Sequence, residues 1–515
     1  MSKTNYDIYY SRNRYLIPFQ VKGVSYQSAC NFIEGEIGEL GKKVWQQVRI
    51  DSDLLGGEAE EKRDSDLYDY VRNEFRWEKG EKNPAEEIDN QEKKGIGWVM
   101  NPGAKTLPAI KFTRKSICLE VDLSAVGLFL FRNGLGIFWY EIELDMPPGK
   151  TTCLSSQEMI LFQNAANRVG RDVDRDGNSN FTKILEGDRE ERFSFGEWIS
   201  NLLKPLSAVY FAHSADKGEE VPSEALLFSY YIFKSEEEMK IDDLKDTLYH
   251  LTNGYESKIL YSSELGEDMR RPFANALWYA TKRGCTYASW VSEATSHEFS
   301  SMYGRVNRRY ATDYFTMYLK VLYQSYSLLF FAQRIQTDIS SDLDKEDEGV
   351  ESEKALQLFK EINLFLAKSM ATSVSFTHHQ TDFYNYLKQQ NRVHEDIKSV
   401  TAGLESIESL LRDKREEREK ESDNKIQAIL TIFAVLGIGS AFVDWYDFLG
   451  EIWDSNWASF SSGRRTAEWI ALSVITLISI IGIIILWKPF VKILKEINAK
   501  TFGRFGKWIK KKQKK

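Results

Sequence analysis

The chain has few cysteines for its 515 residues and none of the common catalytic signatures. The four cysteines are far apart and form no paired spacing, which excludes a disulfide framework or a thiolate zinc site; they are Cys30, Cys118, Cys153 and Cys285. The sequence also lacks the GxxxxGK, GxGxxG, HExxH and GxSxG patterns that bind phosphates, dinucleotides or zinc or present a nucleophile. We therefore predict that the protein is not an enzyme.

A secretory signal is missing as well. Residues 1–19 carry charges and tyrosines where such a signal needs an uninterrupted apolar core. Together with the unpaired cysteines, this favours a reducing compartment for the first 400 residues.

The charge is unevenly distributed along the chain. The formal net charge is −8, which is too acidic for a dedicated nucleic-acid binder. Residues 488–515 carry eleven Lys or Arg against one Glu, whereas residues 444–468 have a net charge of −3 and residues 1–443 one of −15. The basic C-terminal tail, with aromatic residues among its lysines, is typical of a segment that lies on anionic lipid.

Two apolar segments near the C-terminus are long enough to cross a bilayer. Residues 426–443 and 469–487 contain no charged side chain, and tryptophans bracket the second segment. Because the tail is basic and the loop between the segments is acidic, we expect both termini in the cytoplasm and a multi-pass protein of the inner (plasma) membrane. A pair of buried core helices is the alternative.

Apolar residues before the first segment recur at spacings of three and four. The pattern is typical of a coiled coil, and it predicts a stalk helix that runs from 355 into the membrane and packs against a partner helix. An amphipathic helix packed on its own domain is the alternative. The repeat consists of Phe383, Tyr386, Val393, Ile397, Val400, Leu404, Ile407 and Leu411.

Residues 1–335 contain signals for both strands and helices. Alternating apolar residues around Asn133 and Gly134 predict a hairpin over 117–144. We further expect strands at 207–213 and 225–233, and helices at 27–48 and 312–336. The fold class predicted is an α/β cytoplasmic domain followed by a long stalk helix and two transmembrane helices.

The predicted domain organisation follows these segments in order. It comprises a cytoplasmic α/β ligand-sensing domain at 1–335, an acidic linker at 336–354, a coiled-coil-like stalk at 355–425, a first transmembrane helix at 426–443, an external loop at 444–468, a second transmembrane helix at 469–487 and a basic cytoplasmic tail at 488–515.

One acidic turn has the opening of a calcium-binding loop. Asp172, Asp174 and Asp176 precede Gly177 at the spacing of oxygen ligands, but Lys183 stands where a bidentate Glu is expected. A divalent cation and an acidic surface turn are the two interpretations.

A basic stretch with interleaved aromatic residues occupies 270–309. Guanidinium groups beside aromatic faces suit a phosphate-bearing ligand with a base to stack, so a nucleotide is one candidate ligand. A basic face docked on the acidic remainder of the domain or on a neighbouring subunit is the other interpretation. The candidate ligand-binding residues are Arg270, Arg271, Arg283, Arg305, Arg308, Arg309, Trp278 and Trp290.

The order of segments over residues 200–515 resembles the CorA family of divalent cation transporters. The resemblance implies a CorA-like homo-oligomeric funnel, of five copies in the family, whose first span lines a pore for magnesium or a similar ion. The Gly-Met-Asn signature of that family is missing, and FVDWYDF stands at 442–448 in its place. Asp444 and Asp447 would then form carboxylate rings at the pore mouth. Polar or small pore-lining candidates are Asn424, Gln427, Thr431, Gly437, Gly439 and Ser440.

Divergent CorA-like proteins without this signature are found beside type III CRISPR systems. The resemblance therefore implies an antiviral membrane channel that a nucleotide second messenger opens through the cytoplasmic domain. The alternative is a membrane-anchored receptor or scaffold whose two helices only tether and oligomerise it. Expected partners are further copies of the chain and the lipid bilayer, with anionic lipid at the tail and no nucleic acid.

Overall fold

The computed structural model describes most of the first 406 residues. Residues 1–404 form one compact unit and residues 405–515 a second, and each is considered by itself. The described residues are 5–38, 41–47, 95–101, 107–115, 117–145, 154–170, 180–185, 189–216, 219–235, 241–255, 269–291, 304, 306–339, 350–369, 374–406, 408, 409, 412, 413, 416, 420 and 423.

The first unit is built on a large, mostly antiparallel sheet. Its strands are β1 (Asp7–Val21), β2 (Trp45–Gln47), β3 (Gly95–Met100), β4 (Ala109–Arg114), β5 (Ile117–Phe131), β6 (Leu135–Asp145), β7 (Leu154–Ser155), β8 (Phe181–Leu185), β9 (Arg189–Arg192), β10 (Ala208–Tyr210), β13 (Leu226–Lys234), β14 (Met269–Phe273), β15 (Ala276–Thr281) and β16 (Gly284–Val291), while β11 (His213–Asp216) and β12 (Glu219–Pro222) form a separate ribbon. The main path runs β14-β15-β16-β13-β1-β6-β5-β4-β8-β9, and only β13 and β16 in it are parallel.

Helices cover both faces of this sheet. One face carries α1 (Tyr26–Gly35), α2 (Ser156–Asn167), α3 (Phe195–Leu203) and α4 (Ile241–Asn253). The other face carries α5 (Phe315–Arg334), α6 (Val350–Ser369) and α7 (His378–Gln390). Wide π-helical turns precede and follow α5 at Tyr310–Tyr314 and Ile335–Ile339.

The central strand β1 supplies side chains to both layers. Its alternate residues Tyr15 and Ile17 lie in the core under α1 to α4, whereas Leu16 lies in the core under α5 to α7. Because successive side chains of a strand point to opposite faces, one strand buried on both sides contributes to two cores. The β5–β6 hairpin beside it closes at Gly134, whose φ of +84° favours glycine.

Several predicted elements are confirmed. The structure contains the hairpin over 117–144, the strand at 225–233 and the long helix at 312–336, with bounds that differ by a few residues. The helix predicted at 27–48 is wrong in its second half, because α1 ends at Gly35 and β2 follows at Trp45.

The predicted long stalk helix is wrong. The segment from 355 holds most of α6, an extended residue at Thr377, α7, and a further helix that begins at Val393. Arg392 has a left-handed φ of +54°, which an α-helix cannot accommodate, so the chain turns there. The repeat residues Phe383, Val393 and Val400 are buried in the core of their own unit. The alternative of an amphipathic helix packed on its own domain describes them correctly.

The fold-class prediction of a funnel with two transmembrane helices is corrected together with the stalk. Among the described residues no helix is long and apolar enough to span a membrane. The same finding corrects the predicted multi-pass localisation in the inner membrane and leaves the transport function without support. The predicted spans at 426–443 and 469–487 lie outside the described residues.

Candidate functional site

Helix α7 is held against both the sheet and the start of α5. The Phe383 ring meets Trp278 of β15 with centroids 5.0 Å apart and Tyr314 with centroids 4.8 Å apart. The Ala280 backbone N–H of β15 donates a hydrogen bond of 2.8 Å to the Tyr386 hydroxyl. These contacts fix which side chains of α7 point toward α5.

One face of α5 is polar although it is buried. Thr316, Lys320, Gln324 and Ser327 recur every three or four residues, and each is 0% exposed. Burying such groups is unfavourable unless each finds a hydrogen bond or a counter-charge. The interior beneath α5 and α7 therefore contains a polar region inside an otherwise aromatic core.

Two of these residues meet two residues of α7, and we call the four together the lysine cluster: Lys320, Gln324, Tyr384 and Lys388. Gln324 donates from Nε2 to the Tyr384 hydroxyl at 2.8 Å. The Lys388 Nζ atom lies 5.3 Å from the centroid of the Tyr384 ring. Lys320 is one turn before Gln324 and Lys388 one turn after Tyr384, so each helix brings one lysine to the cluster.

The Lys388 side chain is mostly buried and has no anionic partner in the described part of the chain. The residue is 3% exposed, and no carboxylate there lies within ion-pair distance of its ammonium. Burial lowers the pKa of Lys388, and the neighbouring charge of Lys320 lowers it further. The site thus favours either loss of the proton or the arrival of an anion.

The contacts that Lys388 does make are too weak to offset its burial. Removing an ammonium from water costs several kcal/mol even after the protein relaxes. Contact with an aromatic face returns about 0.5–2 kcal/mol. A place in the last turn of α7, at the negative end of the helix dipole, returns about 0.3–1 kcal/mol. Each of these contacts is smaller than the cost of full burial, and Lys320 adds repulsion.

A second buried charge cluster, by contrast, contains its own anion. Arg12 donates from Nη2 to Glu141 at 2.8 Å, and Arg14 donates from Nε to the other carboxylate oxygen at 2.5 Å. Arg12 also bonds Asn307 Oδ1 at 3.3 Å, and Arg14 donates to the Ala311 carbonyl at 2.6 Å. This cluster ties β1 and β6 to the helical residues before α5, which is a structural role.

The electrostatics of the Glu141 carboxylate agree with that role. Burial alone would raise the pKa of Glu141, but Arg12 and Arg14 outweigh it and hold the pKa at about 2. Burial also lowers the pKa of Arg14, against the opposing effect of Glu141. The carboxylate is therefore ionised at neutral pH and already engaged.

The structure does not gather the predicted basic stretch into one site. Arg270 and Arg271 lie on the edge strand β14, over the rings of Tyr386 at 6.0 Å and Trp290 at 5.7 Å. Trp278 is buried in the core under α7. Arg270 thus contacts α7 at Tyr386, which is two residues before Lys388.

The other predicted ligand-binding residues are placed elsewhere. Arg283 pairs with Glu224 at 2.5 Å and donates to the Tyr255 hydroxyl at 2.8 Å. Arg308 and Arg309 are exposed in the helical residues before α5, whereas Arg305 lies outside the described residues.

The predicted metal and pore residues also lie outside the described residues. These are Asp172, Asp174, Asp176, Asn424, Gln427, Thr431, Gly437, Gly439, Ser440, Asp444 and Asp447. Over the residues that are described, no group of three or more His, Cys, Asp or Glu side chains could hold a metal ion.

Sequence reasoning missed both lysines of the cluster. Lys320 interrupts an aromatic helix that was interpreted as core, and a charge inside such a helix was the available signal. Lys388 belongs to the segment predicted as a coiled-coil-like stalk, where a lysine between the apolar repeat positions gives no signal. Only the packing of α7 onto α5 brings the two together.

Comparison with known proteins finds no match for the chain. No family model, no curated protein and no solved structure matches the chain. The resemblance to the CorA family therefore stays a prediction from the order of segments, and the function has to be argued from the site itself.

Proposed function

We propose that the protein is a receptor for a small anionic ligand, which it binds at the lysine cluster between α5 and α7. The observation that carries the proposal is Lys388, a residue that is 3% exposed, lies beside the buried Lys320 and has no carboxylate partner among the described residues. Buried charges in proteins are paired or bind an ion. A carboxylate or phosphate group would supply the missing charge.

The two lysines favour an anion over a neutral ligand. An anion between the two lysines would offset the repulsion from Lys320 that lowers the pKa of Lys388. It would also accept charge-assisted hydrogen bonds, which are stronger in an interior of low dielectric than in water. The Tyr384 hydroxyl, held by Gln324, adds a polar group at fixed position. Because the cluster is enclosed by two helices, we expect a ligand of few atoms.

Anion binding should raise the thermal unfolding midpoint of the purified full-length protein. Acetate, phosphate, sulfate and pyruvate would each be added at an ionic strength matched with sodium chloride. A ligand at 100 times its dissociation constant stabilises the folded state by about 2.7 kcal/mol. We expect at least one of these anions to raise the midpoint of the wild type.

The variants Lys388→Met and Lys388→Gln should lose this response. Lys360→Met is the matched control, because Lys360 is an exposed lysine on the neighbouring helix α6. Its response should equal that of the wild type, which also corrects for general salt effects on stability. Equal midpoint changes in all four proteins would contradict the proposal.

The roles expected from the family resemblance are separate from this proposal. Antiviral signalling by a nucleotide and the oligomeric and lipid partners stay predictions that the described residues do not test. A receptor function at the lysine cluster requires none of them.

A further inference from the structure

We propose that His378 and Asp382 of α7 form half of a zinc site, which a second copy of the chain completes with the same two side chains. The His378 Nε2 atom lies 3.3 Å from Asp382 Oδ2, and the two residues are one helical turn apart. The pair lies on the exposed face of α7 and is separate from the lysine cluster. It would bind a metal cation rather than an anion.

The separation of the two donor atoms fits a single tetrahedral zinc ion. Zinc binds imidazole nitrogen at about 2.0–2.1 Å and carboxylate oxygen at about 2.0–2.2 Å, so two such ligands at the tetrahedral angle are about 3.3–3.5 Å apart. A hydrogen bond from a charged imidazole to a carboxylate is shorter, at about 2.7–2.9 Å. The spacing therefore matches a metal chelate better than a tight ion pair.

Both side chains are accessible to a metal ion and to a second copy. His378 is 93% exposed and Asp382 is 53% exposed. An ion pair that is exposed to this degree contributes little to the stability of a protein. The fold itself therefore gains little from placing an imidazole and a carboxylate together here.

One copy supplies too few ligands for a stable zinc site. Such sites have three or four protein ligands, and in the described part of the chain no third His, Cys, Asp or Glu side chain joins this pair. A two-fold axis through the metal would bring the same pair from a second copy, giving two imidazoles and two carboxylates. The two carboxylates would neutralise Zn²⁺, which offsets the unfavourable place of a cation near the positive end of α7.

Exposed aromatic rings near the pair would be covered by the same contact. Phe376 is 74% exposed and immediately precedes Thr377, the N-cap of α7. Phe273 is 44% exposed, and its ring centroid lies 5.5 Å from that of His379, the neighbour of His378. Exposed apolar surface beside polar ligands is typical of a contact between proteins. A second copy is therefore the expected source of the other two ligands.

Zinc should double the mass of the full-length protein. Sedimentation velocity of the EDTA-treated protein would be compared with that of the same protein in zinc chloride or in magnesium chloride. We expect doubling with zinc alone, and calorimetric titration should give one zinc ion for two chains. Magnesium requires six ligands, preferably oxygen, and should leave the mass unchanged.

Three variants test the assignment of the ligands. His378→Ala and Asp382→Asn should each abolish the doubling and weaken zinc binding at least about tenfold, because even partners outside the ligand set change metal affinity about 10–100-fold. Both residues are exposed, so both variants should fold, which circular dichroism checks. His394→Ala is the matched control, because the exposed His394 has Lys398 rather than a carboxylate one turn later. This control should double in mass like the wild type.

The opposite results would overturn the proposal. These are no change of mass with zinc in the wild type, doubling that persists in His378→Ala, or equal loss of doubling in His394→Ala. Binding of one zinc ion per chain without a change of mass would overturn the sharing of the site between two copies. The anion-binding function is tested by stabilisation with anions, so its failure is distinguishable from a failure of the zinc site.

Discussion

Arg12 of β1 donates a hydrogen bond to Glu141 of β6 at 2.8 Å, whereas the Lys388 ammonium of α7 has no carboxylate partner among the described residues. Arg14 occupies the second oxygen of Glu141, so one anion serves two cations and both are fixed. The chain therefore supplies a counter-charge for one buried cationic cluster and not for the other. That difference distinguishes a structural ion pair from a candidate binding site.

Replacing Glu141 by Gln should strongly destabilise the protein. The change leaves Arg12 and Arg14 buried with no anion, and breaking a buried pair costs about 3–5 kcal/mol. Urea denaturation measures the free energy of unfolding. Glu190→Gln is the control, because Glu190 pairs with Lys111 at the surface and should give no measurable change. Similar losses of unfolding free energy in both variants would show that the Arg12–Arg14–Glu141 cluster stabilises the protein no more than an exposed ion pair does.

Glu141 should also contribute to acid unfolding. Its pKa is depressed from 4.5 to about 2, so the stability it supplies is complete above pH 4.5 and is lost as the pH falls toward 2. The difference corresponds to about 3 kcal/mol. Free energies of unfolding measured across this window should fall less steeply in Glu141→Gln than in the wild type, and parallel curves would contradict the assignment.

Replacing Lys388 by Met should stabilise the ligand-free protein. A buried charge replaced by an apolar side chain of similar volume is often neutral or stabilising by about 1–4 kcal/mol. Chemical denaturation without added anions measures the change. A large destabilisation would instead show that Lys388 has a structural partner and no need of a ligand.

The pH dependence gives a second test of Lys388. Because its pKa is lowered in the folded state, the unfolded chain binds more protons between that pKa and 10.5. The stability of the wild type should therefore rise with pH through this range. Lys388→Met should lack that rise, whereas Lys360→Met should keep it.

Replacing Arg392 by Gly should stabilise the protein. The φ of +54° at Arg392 costs a non-glycine residue about 1–2 kcal/mol, and glycine removes that strain. In an uninterrupted stalk helix the same change would destabilise by about 1 kcal/mol. The sign of the change in the free energy of unfolding thus distinguishes the observed turn from a continuous helix. Gly substituted for the neighbouring helical residue Gln389 should destabilise.

The resemblance to a channel depended on segments interpreted one at a time. The spacing of Phe383, Val393 and Val400 is compatible with a partner helix and with the core of the same unit, because both bury a stripe of apolar side chains. No proline or glycine marks the breaks at Thr377 and Arg392, so local signals could not reveal them. Packing against Trp278 and Tyr314 decided the outcome.

The sequence by itself determined the elements whose signals are local. Alternating apolar residues and Gly134 specify the β5–β6 hairpin, and the aromatic run specifies α5. Tertiary structure alone decided which strands pair across long separations, where the predicted stalk is interrupted, and that Lys320 meets Lys388. The reason is that a buried charge becomes significant only through the distant side chains around it, and one segment of sequence does not contain them.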